Sequence, residues 1–387
     1  MTESSRNDKP HSSTRPTVAV VDCKSYELDR VASAVSRALD LLGGLRRWVG
    51  PGQTVFVKPN MLTAKEPHRA VTTHPAVVEA VIREARRAGA RVLIGDSPAG
   101  VLSSIDRYWT RTGYGDVAQR TGAELVKLEG AGVARRSVNG REYFIAAPIA
   151  EADVVINVPK LKTHGLTVLS AGVKNMFGAI PGFRKAEYHK EAPKRGPFSE
   201  IVVDVYQAAR PALTVLDAVT ALEGDGPSTK GEPRDVGLIM AGPDAVALDA
   251  VAGKIVGLRE DQVPTTAAAI ERGAGVGIAG CEVLGESVAE RFIADFRLAS
   301  SQLIHLTPKW VVTLFGRYVW VRPHVIRENC TACGLCIETC SVEALAEGKN
   351  GVPTIDYQKC IECLACIESC PSDAIEQRVS RLARFFT

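Results

Sequence analysis

The sequence contains no run of about 18 apolar residues, the length a membrane-crossing helix needs, so no membrane span is expected. The nearest stretch, Trp310–Val321, is short and broken by Arg317. It reads as a helix that packs one domain on another. Residues 1–16 are polar, Ser-rich and charged. They lack the apolar centre of a secretory signal and read as a disordered tail. Net charge is also scarce, at a formal +3, so composition gives no reason to expect nucleic acid. No G-x4-G-K-[ST] loop occurs, which excludes a standard P-loop. Gly275-Val-Gly277-Ile-Ala-Gly280 matches G-x-G-x-x-G, but it follows a helical stretch (Ala267–Arg272) where a dinucleotide fingerprint needs a strand. No flavin motif is visible, so a flavin or a further metal is left open.

What is present is a globular composition, 45% hydrophobic over 387 residues. That length suggests two or three domains. From Val18 to about Gly285, short β-branched runs alternate with helical stretches. Val18–Val21, Thr54–Val57, Arg91–Gly95, Val154–Val158, Leu213–Leu216 and Val236–Met240 read as strands. Glu27–Leu42, His74–Ala88 and Asp244–Val256 read as helices. This alternation predicts an α/β domain with a mainly parallel sheet over residues 17–285. Asn139-Gly140, between two polar–apolar runs, predicts a hairpin over Arg135–Ala146.

Eight of the ten cysteines lie in one short repeat. Cys330-Thr-Ala-Cys333-Gly-Leu-Cys336-Ile-Glu-Thr-Cys340 recurs as Cys360-Ile-Glu-Cys363-Leu-Ala-Cys366-Ile-Glu-Ser-Cys370. Both copies have the spacing C-x2-C-x2-C-x3-C, the run found in bacterial ferredoxins, in which the fourth cysteine ligates the other cluster. Zinc sites favour paired C-x2-C units, not triplets with a fourth. Disulfides need an oxidising compartment. The spacing therefore predicts two [4Fe-4S] clusters. One takes Cys330, Cys333, Cys336 and Cys370; the other takes Cys360, Cys363, Cys366 and Cys340. Pro371 follows the second copy as usual, whereas Ser341 stands in its place in the first. With clusters bound, net charge falls to about −1. Cys23 and Cys281 are left over and read as small buried hydrophobes. A two-cluster ferredoxin-like α+β domain is thus expected at 328–377, after a linking segment at 286–327 and before a tail at 378–387. Free thiolates imply a reducing compartment, so the expected location is cytoplasmic.

Open α/β sheets bind ligands outside the carboxyl ends of their strands. Lys58 and Asn60 follow the second strand, and Asp96 the third. Lys160, Lys162 and His164 follow the fourth, where alternation in extended chain places them on one face. Asp217 ends the next strand. Adjacent cations repel unless an anion or carboxylates lie between them, so a carboxylate- or phosphate-bearing ligand, or Asp96 and Asp217, would balance these lysines. Lys174 and Asn175 come next, then His189 in a basic stretch from Arg184 to Arg195 that suits a lid or a solvated loop. The loop Glu223-Gly224-Asp-Gly226-Pro227 could offer backbone N–H groups to an anion.

Lys58-Pro-Asn60, His74-Pro75, Gly95-Asp96-Ser97, Pro159-Lys-Leu-Lys-Thr-His164, Val173-Lys-Asn175 with Gly178, Glu223-Gly-Asp-Gly-Pro227 and Ala247-Leu-Asp249, in this order, resemble the bacterial and archaeal domain-of-unknown-function 362 family. The resemblance covers about residues 18–376. It implies an α/β domain joined to an electron-transfer module and supplies no substrate. It carries Lys58, Asn60, Asp96, Lys160, Lys162, His164, Lys174, Asn175 and Asp217 forward as site residues, which the strand-end argument selects as well.

Three functions compete. The first is a reductase that passes single electrons to an anionic small molecule, supplied by a ferredoxin, a flavodoxin or a reductase. There, Lys160 and Lys162 hold the anion, and His164 or a nearby lysine delivers a proton. The second is a non-catalytic electron carrier or assembly factor for a protein partner. The third is redox-neutral group transfer or hydrolysis with structural clusters. On the ligand assignment above, Cys333→Ala should disturb one cluster first, lowering iron and sulfide toward about half. Iron analysis with EPR of the reduced protein checks this; simultaneous loss of all iron would contradict it.

Overall fold

The computed structural model describes residues 15–98, 105–182, 184–227, 230–302 and 320–380. Nearly all of the expected N-terminal tail, residues 310–319 of the apolar segment and residues 381–387 lie outside the described residues. Among the described residues no helix is long and apolar enough to cross a membrane.

The strands are, in chain order, β1 (Thr17–Asp22), β2 (Thr54–Pro59), β3 (Arg91–Ile94), β4 (Glu124–Leu125), β5 (Val133–Val138), β6 (Arg141–Ala146), β7 (Val154–Val158), β8 (Lys160–His164), β9 (Val168–Ser170), β10 (Leu213–Gly224), β11 (Gly231–Gly242) and β12 (Glu282–Gly285) in the large domain. The main sheet runs β12-β1-β11-β10-β7-β2-β3-β4. Its β10-β7-β2-β3-β4 half is parallel throughout, while β11 runs antiparallel to both β1 and β10. The domain is the expected α/β fold on a mainly parallel, mixed sheet.

Central strands are buried on both faces, as crossover connections require. Val154–Val158 is buried at every position. Alternate residues feed opposite cores. Val55 and Val57 join a cluster with the helices Leu28–Leu41 and Pro75–Arg87. Phe56, between them, joins the cluster built by the helix Arg195–Ala209 and the β5–β6 hairpin. The helix at His74-Pro75 starts where expected: Pro75 occupies its first turn and His74 Nδ1 accepts the Ala76 N–H at 3.2 Å.

The Lys160 segment keeps the extended conformation expected of it and forms β8, which pairs with β10 at Asp217↔Lys160 and with β9. Two expectations need correction. The strands expected at Leu213–Leu216 and Val236–Met240 belong to a long hairpin whose register runs on to Gly224↔Gly231. Pro233 is tolerated there because β1 reaches only Leu238–Ala241, so no partner on that side needs its N–H. The C-terminal unit also begins earlier than residue 328. Its β13 (Val321–Val325) pairs with β16 (Ile375–Val379), around β14 (Leu345–Glu347) and β15 (Pro353–Ile355).

The two units meet through polar contacts. Lys65 Nζ lies 2.8 Å from Asp373, and Lys230 Nζ lies 3.0 Å from Glu376. Gln377 Nε2 bonds Asp225 and Ser300 Oγ. This docking lays the short helix Ala365–Ser369 against the carboxyl ends of the sheet strands.

Candidate functional site

The strand-end residues fall into two sets. Two lysines are committed to buried carboxylates. Lys58 Nζ lies 2.7 Å from Asp96 Oδ1, and both side chains are buried. Asp96 Oδ2 also accepts the Met61 N–H at 2.7 Å. Gly178 is needed for this pair, since a Cβ there would lie 2.3 Å from Asp96 Oδ1 and 2.9 Å from Lys58 Nζ. Lys160 Nζ lies 3.0 Å from Asp217 Oδ2 and donates to Tyr26 Oη at 2.6 Å. Tyr26 Oη in turn donates to Asp217 Oδ1, and the His74 N–H to Oδ2, each at 2.8 Å. The expectation that Lys160 holds a ligand therefore gives way: its charge is spent on Asp217, and it does not line the cavity described next.

The second set surrounds a cavity of about 880 Å³ that opens to solvent. Lys162, Lys174 and Lys185 face it, and among the described residues none has a carboxylate in ion-pair reach. Lys162 Nζ donates to Asn60 Oδ1 at 2.7 Å and to Val71 O at 2.9 Å. Asn60 is held by Asn175 (3.0 Å), itself held by Asn157 (2.8 Å). Lys174 lies over the rings of Phe177 and Phe198, 5.0 and 5.7 Å from their centroids. Its helix, Gly172–Asn175, is anchored by Asp249, which accepts the N–H groups of Gly172 (2.6 Å) and Val173 (3.0 Å). Burial pushes Lys162 down to about 7 and Lys185 to about 8, and it lowers Lys174 as well.

Two imidazoles complete the wall. His164 Nδ1 accepts from the N–H groups of Leu166 (3.0 Å) and Thr167 (3.3 Å), which leaves the proton of the neutral ring on Nε2. That nitrogen lies 3.2 Å from Glu368 Oε1, without the alignment of a hydrogen bond. His189 stacks on Phe198 at 4.2 Å, and its buried Nδ1 has no hydrogen-bond partner among the described residues. Burial pushes His189 down to about 3, which leaves it neutral, and also lowers His164 against the opposing pull of Glu368. Burial raises the Glu368 carboxyl, but the adjacent His164 and then Lys174 outweigh it and hold the group well below the usual range. The stretch around His189 is thus a helix, Arg184–Glu191, that buries Ala186, Tyr188 and His189 and leaves Glu187, Lys190 and Glu191 exposed, rather than a solvated loop.

Both glycine amides of the Glu223–Pro227 loop are already engaged. Gly224 N–H donates to Arg297 O at 2.7 Å and Gly226 N–H to Gly224 O at 2.8 Å. Only Pro227 of that loop reaches the cavity. Sequence reasoning missed Lys185, whose Nζ donates to Ser97 O (2.7 Å), Ser97 Oγ (2.5 Å) and Pro98 O (3.1 Å). It also missed Glu368, Thr339 and Ala365, the cavity's contribution from the C-terminal unit.

In that unit, Cys330, Cys333, Cys336 and Cys370 line one void of about 320 Å³. Four thiols from both repeats around one space are the donor set an iron–sulfur cluster takes. The Cys340 and Cys370 sulfurs each accept a backbone N–H at 3.2 Å, from Ala344 and Ala374. Cys23 and Cys281 are buried, and burial pushes the Cys23 thiol up to about 11.

Residues 55–254 match the family described as Domain of unknown function (DUF362). The Thylakoid-associated protein sll1697 of Synechocystis sp. is 38% identical over 253 residues, which cover 65% of this chain and 78% of that protein. The chain belongs to the DUF362 family. Residues 353–376, which hold the second cysteine repeat, match a 4Fe-4S binding domain. This DUF362 protein therefore has an iron–sulfur module fused to its α/β domain. A solved structure, the lactate racemase apoprotein from Thermoanaerobacterium thermosaccharolyticum, aligns at 14% identity and TM-score 0.40. That alignment covers 63% of this chain and 58% of the other.

Two substitutions test the carboxylate-paired set. Lys160→Met should destabilise the fold by about 3–5 kcal/mol by leaving Asp217 buried and unpaired. Gly178→Ala should cost about 1–3 kcal/mol through the clash with Asp96. Denaturant unfolding measures both; wild-type stability in Lys160→Met would contradict the assignment.

Proposed function

We propose that this protein is an iron–sulfur reductase of an anionic small molecule held in the cavity between the α/β domain and the cysteine-rich unit. One observation carries the reading. The cavity that gathers three lysines without carboxylate partners is walled on its other side by Thr339 and Ala365, which neighbour Cys340 and Cys363–Cys366 in sequence. Two [4Fe-4S] clusters, ligated as the cysteine spacing predicts, supply electrons one at a time from a donor such as a ferredoxin, a flavodoxin or a reductase.

The chain's own groups then have distinct parts. Lys174 supplies a desolvated positive charge to a carboxylate or phosphate, with Lys185 and Lys162 extending the positive field. His164 presents a fixed Nε2–H, a donor for a proton or a hydrogen bond at the reacting group. Phe177, Leu62 and Ala365 exclude water from the ligand's apolar part. Lys58 and Asp96 brace the floor.

The reading is tested anaerobically. Reduced protein should be reoxidised by a small-molecule fraction containing organic anions, with loss of the cluster EPR signal, and Lys174→Met should weaken that anion's binding roughly 10- to 100-fold. Reoxidation by no small molecule would overturn the reductase reading in favour of a protein partner or redox-neutral chemistry.

Anion affinity should also fall as pH rises through about 7 to 8, where Lys162 and Lys185 lose charge. Glu368 and Asp96 oppose that loss at Lys162, and Lys174 and Lys160 promote it. Folding shows the opposite trend. Both lysines have an ordinary value of 10.5, so above their folded values the unfolded chain binds more protons. Their contribution to stability therefore rises with pH from about 7 toward 10.5 and is lost as pH falls through the folded values. Titration calorimetry and denaturant melts across this range check both signs.

A further inference from the structure

The five lysines at the strand ends are not chemically equivalent. Lys58 and Lys160 are ammonium ions locked to Asp96 and Asp217. Lys185 has three acceptors around Nζ, which use every N–H it can offer. Lys174 lies over aromatic faces, a setting that favours the cation. Lys162 differs from all four. It is 2% exposed, lines the cavity, and among the described residues has no carboxylate in ion-pair reach. Its two acceptors, Asn60 Oδ1 and Val71 O, take two N–H bonds. A neutral amine donates two hydrogens and keeps one lone pair. With both hydrogens bound to those acceptors, the lone pair is left for the cavity.

The neighbours suit a carbonyl. His164 lies two residues along β8, on the same face by strand alternation, and also lines the cavity. Its Nε2–H is fixed by the backbone bonds to Nδ1 and can donate to a carbonyl oxygen. His189 offers a second ring nitrogen, buried and without a hydrogen-bond partner among the described residues. Lys174 supplies the charge for a neighbouring carboxylate.

We propose that Lys162 forms an imine with the ketone of a 2-oxo acid bound in this cavity. This inference rests on the anion-binding reading above and names the class of anion. Lys162 Nζ adds to the carbonyl carbon, and a C=N bond replaces C=O. The oxygen leaves as water with the two amine hydrogens, His164 assisting its departure. No oxidant or reductant is needed. The imine, once protonated, is a better electron acceptor than the ketone, which fits a cavity walled by the iron–sulfur unit.

The test uses the full-length, cluster-loaded protein under anaerobic conditions, with pyruvate as probe and sodium cyanoborohydride to reduce the imine to a stable secondary amine. Oxalate, a dianion with no ketone, reports on the cavity independently by calorimetry. The expected result is one reduced pyruvyl adduct per chain, mapped to Lys162 by peptide mass spectrometry and suppressed by oxalate. Lys162→Arg should abolish the adduct while its visible absorption shows the cluster unit intact. Mapping in the wild-type chain decides the matter even if that variant fails to fold. Oxalate binding with no adduct at Lys162 would overturn the imine and leave the anion site standing. Neither binding nor adduct would overturn both. Adducts scattered over surface lysines and insensitive to oxalate would also overturn the imine.

Discussion

An ammonium ion taken out of water costs several kcal/mol unless a carboxylate or enough hydrogen bonds replace the solvent, and this fold buries Lys58, Lys160 and Lys162 within one strand-end region. The rest of the site follows from how each is balanced. Asp96 meets Lys58, with Gly178 stripped of a side chain to let the pair close. Asp217 meets Lys160 through a network that also fixes Tyr26 and the start of the helix at Pro75. Lys162 receives only an amide oxygen and a backbone carbonyl. The uncompensated charge or lone pair is thus concentrated where the cavity opens.

The cysteine-rich unit is part of that balance. Glu368 projects from the helix Ala365–Ser369 toward His164, Lys174 and His189, and His164 and Lys174 hold its carboxyl well below the usual range. The carboxylate reduces the mutual repulsion of the cavity cations, and among the described residues it forms no ion pair with a lysine. The contacts that dock the unit are mostly ionic or amide bonds, supported by Leu364 beside Gly165. The cavity is therefore assembled by the same contacts that dock the iron–sulfur unit.

Much of this was legible in the sequence. Strands with β-branched runs, the helix at His74-Pro75 and the cysteine repeat all carry local signals. Alternation put Lys160, Lys162 and His164 on one face, and of these Lys162 and His164 line the cavity while Lys160 is taken up by Asp217. The identity of each lysine's partner was not legible, because Asp217 and Asn60 reach β8 only through tertiary pairing. The polar residues of the Lys160 segment carry no local sign of burial, yet each is buried against a distant polar group. Lys185 was hidden in a basic stretch with no periodic signal. Glu368 had a faint one: the repeat places Glu338 and Glu368 at equivalent positions, yet Glu338 is exposed and Glu368 faces the cavity. Only the docking of the unit distinguishes the two.

The central claim is that an organic anion binds beside the iron–sulfur unit, in contact with Lys174. Fluorine NMR of a trifluoromethyl carboxylate, recorded with oxidised and with reduced protein, tests it most directly. Unpaired electrons on a nearby reduced cluster would broaden the bound fluorine signal strongly, and Lys174→Met would remove that broadening. A carboxylate that binds yet keeps the same linewidth in both redox states would contradict the account.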